Sequence, residues 1–265
     1  MPMIDVNGTR LHYRFDGDRS APVIMLSNSL ASDLGMWELQ VPELVGAGFR
    51  VLRYDSRGHG RSQAPAGPYT MEQLTADAVT LLDALELDRV AFMGCSKGGM
   101  VGQMLATRHG ERLSALVLTA TAAHVPPAEV WDDRIAAVRD GGMAAVADAT
   151  IDRWFTKSGQ VRLASQVARV RDTVLQTPAA GFCACCAAIR DMDQRESVRA
   201  IRLPTLIVVG EHDPGTPVSA AELIHRKIDG SELVVLSDCA HFAHVEQVDA
   251  FNQRCLSFLA GIDMV

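Results

Sequence analysis

Short apolar runs alternate along the chain with longer amphipathic segments. Continuous apolar runs of this length are typical of strands buried on both faces of a parallel sheet, and segments with one apolar face are typical of helices. The strand-like runs are 22–26, 49–54, 90–93, 113–119, 205–209 and 232–236, and the helix-like segments between them are 36–46, 71–85, 101–106, 219–228 and 248–259. This alternation predicts an α/β fold with a mostly parallel, doubly wound sheet.

Two details near the start of the chain refine this prediction. Residues 5–15 alternate between apolar and polar side chains, which predicts an edge strand or a hairpin. Thr70 directly precedes the amphipathic segment 71–85 and is expected to cap that helix, because a threonine hydroxyl can accept a hydrogen bond from a first-turn amide.

The pattern changes between about 126 and 199, where all the recognisable segments are helix-like. They cover 129–140, 143–155, 161–176 and 179–190. A helical segment that interrupts an alternation of strands and helices is typical of an inserted cap. We therefore expect a core domain formed by 1–125 and 201–265, with a helical cap over 126–200. Because ligands bind beyond the carboxyl ends of parallel strands, the active site is expected at that edge, under the cap.

Length and charge narrow the class of protein. The 265 residues are enough for one large α/β domain with an inserted cap. A net charge of −7 argues against nucleic acid and against an anionic membrane surface as partners. Residues 1–8 show no signal-peptide pattern, and no apolar run approaches the roughly 20 residues of a spanning helix. A cytoplasmic location is therefore expected.

Six cysteines raise the question of disulfides or a metal site. Without a secretory signal they are expected to be free thiols. Cys183, Cys185 and Cys186 form a cluster, but its spacing fits no zinc pattern and no histidine is near it in sequence. We expect no metal there.

The strand-like run 90–93 meets the pentapeptide Gly94-Cys95-Ser96-Lys97-Gly98 and then continues into a helix-like segment. Strand, sharp turn and helix form the context in which Gly-x-Ser-x-Gly is a nucleophile elbow. The strained turn needs glycines where neighbouring backbone comes close. Ser96 is therefore the candidate nucleophile, at a helix N-terminus where negative charge is stabilised.

Two later loops supply a candidate base and acid. A serine hydroxyl needs a general base to take its proton, and that base needs an orienting partner. Asp213 lies in the loop after the run 205–209, and His241 lies in the loop after 232–236. Three such residues in the order Ser, Asp, His, each after a strand, predict a catalytic triad of Ser96, Asp213 and His241.

Neighbouring residues compete for two of these roles. His244 could be the base instead of His241, but it lies where the last helical region begins and is expected to pack or cap there. Glu211 could be the acid, but it lies nearer the strand and is expected to make a structural contact. His212 and Asp238 are expected to be surface loop residues.

Backbone amides must stabilise the charge that develops on the substrate. The first is expected from Lys97, directly after the nucleophile, and the second from Leu30, with Ser29 as the alternative. The Lys97 side chain could lower the pKa of the nucleophile, meet a carboxylate or reach solvent, and we assign it no catalytic role. Arg57 and His59, after another strand, are expected to brace the loops.

Several of these motifs resemble those of the α/β-hydrolase family, and the resemblance extends over essentially the whole chain. The motifs lie at 54–62, 94–99, 210–213 and 240–241. Within the family the chain is most similar to the 3-oxoadipate enol-lactonases of bacterial aromatic catabolism, on the stretches 26–30, 33–37 and 185–191. The elbow departs from their pattern, because those enzymes usually carry apolar residues where Cys95 and Lys97 stand.

The resemblance implies a lactonase that needs no cofactor and no metal. Ser96 would attack the lactone carbonyl, His241 would take its proton, and Asp213 would hold the imidazole. The substrate implied is a small lactone or ester bearing a carboxylate.

A carboxylate on the substrate implies a cation in the cap. Arg190 is our first hypothesis because it follows the family-like stretch of the cap, and Arg134 and Lys157 are the alternatives. Trp131 and Trp154 could line the apolar wall of the site.

Two other classes of function compete with this interpretation. A carboxylesterase, a C–C bond hydrolase or a cofactor-free perhydrolase would need the same triad, so the triad cannot choose among them. A non-catalytic ligand-binding protein of the same fold is also conceivable, although the intact set of Ser96, Asp213 and His241 argues against it.

Overall fold

The fold is built on one mixed sheet, seen in a computed structural model that describes residues 2–262. Within these residues the sheet has eight strands in the order β1-β2-β4-β3-β5-β6-β7-β8. The first three strands in this order, β1, β2 and β4, pair antiparallel, and all further pairs are parallel. The strands are β1 Met3–Val6, β2 Thr9–Asp16, β3 Val23–Ser27, β4 Arg50–Tyr54, β5 Val90–Cys95, β6 Leu113–Thr119, β7 Thr205–Gly210 and β8 Glu232–Leu236.

The burial of the strands follows their apolar content. Every residue of β5, β6 and β7 is buried, as expected for parallel strands covered on both faces. The edge strand β8 is only partly buried. The pairing register places Ser27 beside Gly94, Cys95 beside Thr119, and Gly210 beside Leu236, so the carboxyl ends of five strands meet at one edge. The predicted α/β fold with a mostly parallel sheet is confirmed.

Helices connect the strands. They are α1 Val41–Gly46, α2 Met71–Ala84, α3 Lys97–Arg108, α4 Ala128–Gly141, α5 Ala144–Trp154, α6 Lys157–Arg162, α7 Ala164–Gln176, α8 Ala179–Arg190, α9 Val218–Lys227, α10 Ala243–Glu246 and α11 Val248–Leu259. Three short 3₁₀ turns cover Leu34–Trp37, Gly110–Arg112 and Ser197–Ala200. The Thr70 side chain accepts a hydrogen bond from the Gln73 amide and caps α2, as predicted. None of the described helices is long and apolar enough to cross a membrane.

Two predicted helices are divided in the structure. The segment 36–46 forms a 3₁₀ turn, capped by the Asp33 side chain, and then α1, which begins beside Pro42. Proline favours a helix start because it has no amide to leave unpaired. The segment 161–176 belongs to α6 and α7, which are separated at Leu163 (ψ 32°). Residues 5–15 form the hairpin of β1 and β2.

Helices α4 to α8 all lie between β6 and β7 in the chain. Helix α4 packs on α5 and α8, and α5 packs on α7. Helix α8 approaches the turn after β4 so closely that a Cβ on Gly181 would lie 2.1 Å from the Gly58 carbonyl oxygen. Because both Gly58 and Gly181 lack a side chain, the backbone of α8 can lie directly against the turn at the sheet edge.

Candidate active site

Ser96 lies at the sharp turn between β5 and α3. Its backbone has φ 54° and ψ −113°, a conformation that is costly for a residue with a Cβ and is characteristic of functional sites. The Ser96 amide donates to the Thr119 carbonyl (2.9 Å), and the Thr121 hydroxyl donates to the Ser96 carbonyl (2.8 Å). A Cβ at Gly98 would lie 2.3 Å from the Ser27 carbonyl oxygen, so only glycine fits there. The predicted strand–turn–helix context of the elbow is confirmed.

Asp213 and His241 are in direct contact beside this turn. The distance from His241 Nδ1 to Asp213 Oδ2 is 2.7 Å, and both side chains are buried. With Nδ1–H donated to the carboxylate, Nε2 keeps its lone pair and can accept a proton.

The Asp213 carboxylate is held by further donors. Its Oδ1 accepts from the amides of Gly215 (2.8 Å) and Thr216 (3.0 Å), and its Oδ2 accepts from the Thr216 hydroxyl (2.7 Å). Burial alone would raise the pKa of Asp213, but its electrostatic interaction and hydrogen bond with His241 and the Thr216 donors outweigh burial and lower it. The group therefore stays ionised and fixed in orientation. The sequence did not single out Thr216.

The competing residues lie elsewhere. His244 is fully buried among Trp37, Phe242 and Phe251, and it is not part of the cavity that contains Ser96. Burial and the neighbouring His241 lower the pKa of His244 to about 3, so the ring is neutral. The packing role expected of His244 is therefore confirmed.

The two other loop residues behave as expected. Glu211 is exposed, and its carboxylate accepts from the Asp238 amide (3.4 Å). His212 is exposed as well. These positions agree with the structural contact and the surface location expected for them.

The loop after β3 faces the same cavity. The Ser29 amide donates to the Met36 sulfur (3.2 Å), and the Ala31 amide donates to His59 Nε2 (3.1 Å). Among residues 2–262 no acceptor is found for the Leu30 amide between them. The Lys97 amide is at the first position of α3, where no preceding helical carbonyl exists to accept it. Both amides predicted for an oxyanion hole are therefore available.

Two residues after β4 brace the surrounding loops, as expected. The Arg57 guanidinium forms two hydrogen bonds to Asp77 (2.6 and 2.7 Å) and one to the Asn7 carbonyl (3.0 Å). His59 holds the Ala31 amide. The Lys97 side chain, in contrast, is fully buried beneath the elbow, so the alternative that it reaches solvent is wrong.

One cavity of about 260 Å³ contains the nucleophile and the base. Its walls come from the strand-end loops on one side and from helices α4, α5 and α8 on the other. The lining residues on the loop side include Ser29, Leu30, Ala31, Ser96, Thr216 and His241, and those on the helical side include Trp131, Arg134, Arg153, Trp154, Phe182 and Ile189. A neighbouring cavity of about 410 Å³ shares Trp154 with the first.

Two arginines line the first cavity, Arg134 and Arg153. The Arg134 guanidinium carbon lies 4.5 Å from the centre of the Trp131 ring, and Arg153 donates to the Thr150 hydroxyl (3.0 Å). Burial first, and then repulsion from Arg134, lowers the pKa of Arg153 to about 10. Among residues 2–262 no carboxylate forms an ion pair with either group. Within the described part of the chain, the cavity is thus lined by two arginines that form no ion pair with a carboxylate.

The hypothesis that Arg190 meets a substrate carboxylate is wrong in this geometry. Its guanidinium pairs with Asp132 (2.6 Å) and Asp191 (2.7 Å), and its neighbour Ile189 faces the cavity instead. Lys157 is exposed and pairs with Asp152 (2.5 Å), also outside the cavity. Sequence reasoning missed Arg153, whose only signal was its position beside Trp154 in a helix of the expected cap.

The remaining polar clusters give no sign of a metal centre. Within the described part of the chain, no group of three or more His, Cys, Asp or Glu side chains could hold a metal ion. Cys185 and Cys186 are buried in α8, where burial raises the pKa of the thiols. They pack as small apolar side chains.

Two family models and several known relatives match this chain. A family model described as the alpha/beta hydrolase fold matches residues 22–177, and one described as TAP-like protein matches residues 173–262. The 3-oxoadipate enol-lactonase 2 of Acinetobacter baylyi is 36% identical over 242 residues, which cover 91% of this chain and 90% of that protein.

Solved structures of an enol-lactonase and an esterase are similar to this chain over nearly its whole length. The crystal structure of the enol-lactonase from Burkholderia xenovorans LB400 has a TM-score of 0.96 and 43% identity, covering 98% of this chain and 100% of that one. A thermophilic esterase from Thermogutta terrifontis, solved with malate bound, has a TM-score of 0.91 and 27% identity and covers 98% of both chains.

These comparisons confirm the resemblance to 3-oxoadipate enol-lactonases and the assignment as a hydrolytic enzyme. Because the fold model matches more than half of the chain and the relatives cover almost all of it, the chain belongs to the α/β-hydrolase family.

Proposed function

We propose that this enzyme opens the ring of 3-oxoadipate enol-lactone through an acyl-enzyme on Ser96, as a step in aromatic-compound catabolism. The observation that carries the proposal is that Arg134 and Arg153, which form no ion pair within residues 2–262, line the same cavity as Ser96 and His241. Such a cavity favours a small anionic substrate, and the enol-lactone bears one carboxylate beside its ring. The relatives named as enol-lactonases support the same substrate class.

Acylation begins with proton transfer from Ser96 to His241. The strained turn holds the hydroxyl at the tip of the elbow, and the neutral Nε2 of His241 accepts its proton as the oxygen attacks the lactone carbonyl. Asp213 fixes the tautomer and stabilises the imidazolium that forms. The amides of Leu30 and Lys97 donate to the oxyanion, where each such donor contributes roughly 10²–10³ in rate.

Ring opening then releases an enolate that stays attached to the acyl chain. The His241 imidazolium gives up its proton to this enolate, and conversion of the enol form into the ketone removes the oxygen nucleophile that would close the ring again. His241 next takes a proton from water, the hydroxide attacks the acyl-enzyme, and the imidazolium returns its proton to Ser96. The product is the open dicarboxylate.

Recognition of the free carboxylate is assigned to Arg134 and Arg153. Arg134 is oriented by the ring of Trp131, and Arg153 is oriented by Thr150. Hydrogen bonds between charged groups contribute about 1.5–3 kcal/mol each, enough to favour an anionic lactone over a neutral ester. In this proposal residues 126–200 act as a cap that supplies recognition, and 1–125 with 201–265 form the catalytic core.

The test is the spectrophotometric loss of enol-lactone, with the native enzyme and the Ser96→Ala variant at equal concentration. We expect fast turnover by the native enzyme and a loss of at least about 10⁴-fold with Ser96→Ala. The exposed Ser219→Ala substitution on α9 serves as the control and should leave the rate unchanged.

Two outcomes would contradict parts of the proposal. Ser96-dependent turnover of a simple aryl ester without turnover of the lactone would leave a carboxylesterase, the second candidate. The thermophilic esterase that is 27% identical to this chain favours that candidate. Turnover of neither compound would reject hydrolysis at this site.

A further inference from the structure

The Lys97 side chain is unusual for a buried ammonium group. It is 0% exposed, and the acceptor found for its Nζ among residues 2–262 is the Ser56 hydroxyl, at 2.5 Å. It also lies in the first turn of α3, where the helix dipole disfavours a cation. Burial lowers the pKa of Lys97. A methionine of similar length would avoid these costs, so the position calls for a functional explanation.

Its partner leads to the loop after β3. The Ser56 amide donates to Asn28 Oδ1 (3.0 Å). The side-chain amide of Asn28 in turn donates to the carbonyls of Ser29 and Ser32, at 2.9 Å each. These two carbonyls lie on either side of Leu30, so a continuous chain of contacts joins the Lys97 ammonium to the backbone around the Leu30 amide.

A second path reaches the same loop through His59. Because the Ala31 amide donates to Nε2 of His59, the ring carries its proton on Nδ1, which donates to the Arg57 carbonyl (3.2 Å). Burial and then the positive charge of Lys97 lower the pKa of His59, which keeps the ring neutral. A neutral ring is required for Nε2 to accept the Ala31 amide.

We propose that the Lys97 side chain is a positioning residue that aligns the two halves of the oxyanion hole. The Lys97 backbone supplies one amide, and its ammonium holds, through Ser56 and Asn28, the loop that supplies the other. The inference rests on the proposed hydrolase function of this site. It assigns Lys97 a role in the transition state, because the oxyanion forms only there.

The experiment compares Lys97→Met and Ser56→Ala with the native enzyme on an aryl ester, p-nitrophenyl acetate. Misaligned oxyanion donors weaken transition-state binding and leave ground-state binding intact. We expect kcat to fall about 10- to 100-fold in each variant, below the 10²–10³ for losing one donor outright. KM should stay within about twofold.

A transition-state mimic gives the second readout. The inhibition constant of an aryl trifluoromethyl ketone, which forms an oxyanion on the serine, should rise by the same factor as kcat falls. Because Lys97 and Ser56 act through one chain of contacts, the double variant should be no slower than the slower single variant.

The melting temperature of the variants distinguishes a positioning role of Lys97 from a merely structural role. Removing a buried ammonium with one acceptor should leave the Tm of Lys97→Met unchanged or raise it by about 2–4 °C, while its kcat falls. Lys157→Met, which removes an exposed lysine outside the cavity, is the matched control and should change neither quantity.

The outcomes keep this inference distinct from the proposed function. Failure of the native enzyme to turn over the ester, or turnover that survives Ser96→Ala, rejects the hydrolase site and the inference with it. A native enzyme that is active through Ser96 but has an unchanged kcat in both Lys97→Met and Ser56→Ala rejects the inference alone. A loss of kcat in these variants without a rise in the inhibition constant of the trifluoromethyl ketone also rejects the inference. Should Lys97→Met fail to fold, Ser56→Ala decides on the same criteria.

Discussion

The two walls of the active-site cavity are held in place by different means. On the loop side, Ser96 and Asp213 are fixed by hydrogen bonds to backbone amides and carbonyls of neighbouring strands and turns. On the helical side, Arg134 and Arg153 are long side chains that one aromatic ring and one hydroxyl orient. The proposed catalytic residues are thus fixed by backbone hydrogen bonds, whereas the proposed recognition residues depend on the rotamers of two long side chains. We expect substitutions on the first wall to change kcat and those on the second to change KM.

The largest effect should come from the loop wall. Asp213→Asn keeps the shape of the side chain but removes the charge that fixes the His241 tautomer, so we expect kcat to fall about 10⁴-fold with KM nearly unchanged. Asp238→Asn, in an exposed neighbouring loop, is the matched control. An equal loss in both variants would mean that charge in this region, and not the contact with His241, matters.

Substitutions on the helical wall should have a smaller effect, and it should appear in KM and not in kcat. Arg134→Met and Arg153→Met each remove one charged donor, so we expect KM for the enol-lactone to rise about 10- to 100-fold and kcat to change little. Arg190→Met removes the same charge outside the cavity, where Asp132 and Asp191 already pair with it, and should leave KM unchanged. A raised KM in the Arg190 variant alone would overturn this assignment.

The boundary between the two cavities offers a finer test of the helical wall. Trp154 lines both, and its ring stacks 4.0 Å from that of Phe242. Trp154→Ala should join them, so kcat/KM for p-nitrophenyl octanoate relative to the acetate should rise about tenfold as added methylenes become buried. Val170→Ala enlarges only the second cavity and should not change this ratio.

The smallest effect concerns the stability of the fold at His244, which packs outside the cavity. His244 has a folded-state pKa of about 3, below its usual value of 6.5, so below pH 6.5 the unfolded chain binds the proton more readily than the native one. Stability should therefore fall as the pH is lowered, by about 1 kcal/mol between pH 7 and 5.5 from this residue. Urea unfolding should show a flatter pH dependence for His244→Met, whereas the exposed His212→Gln should retain the native slope.

The loop wall of the cavity was easier to predict from the sequence than the helical wall. The sequence predicted that Ser96, Asp213 and His241 come together, because each follows a buried apolar run and the ends of paired parallel strands lie at one edge. The contact between Asp213 and His241 and the shared cavity of Ser96 and His241 agree with this prediction. The choice between Leu30 and Ser29 for the proposed oxyanion hole needs the structure, where Leu30 is favoured because the Ser29 amide already donates to Met36. The order of strands and loops can thus be predicted from the sequence alone.

The residues proposed for substrate recognition were less predictable, because their position depends on which side of a helix faces the cavity. Arg190 and Ile189 are neighbours in α8, and the apolar one faces the cavity. No local pattern shows that rotation. The burial of Lys97 was missed for a related reason, because its partner Ser56 is 41 positions away and carries no charge. Such contacts exist only once the chain is folded.

The close approach of Gly58 and Gly181 has a consequence for how new substrates could be acquired. Any side chain at position 181 would push α8 away from the turn after β4, so α8 has little freedom to drift during evolution. The cavity-lining residues of α4 and α5, such as Arg134 and Trp154, are held instead by contacts between side chains. Inherited changes in substrate range are therefore expected to accumulate in those two helices, while α8 stays as the fixed support on which they vary.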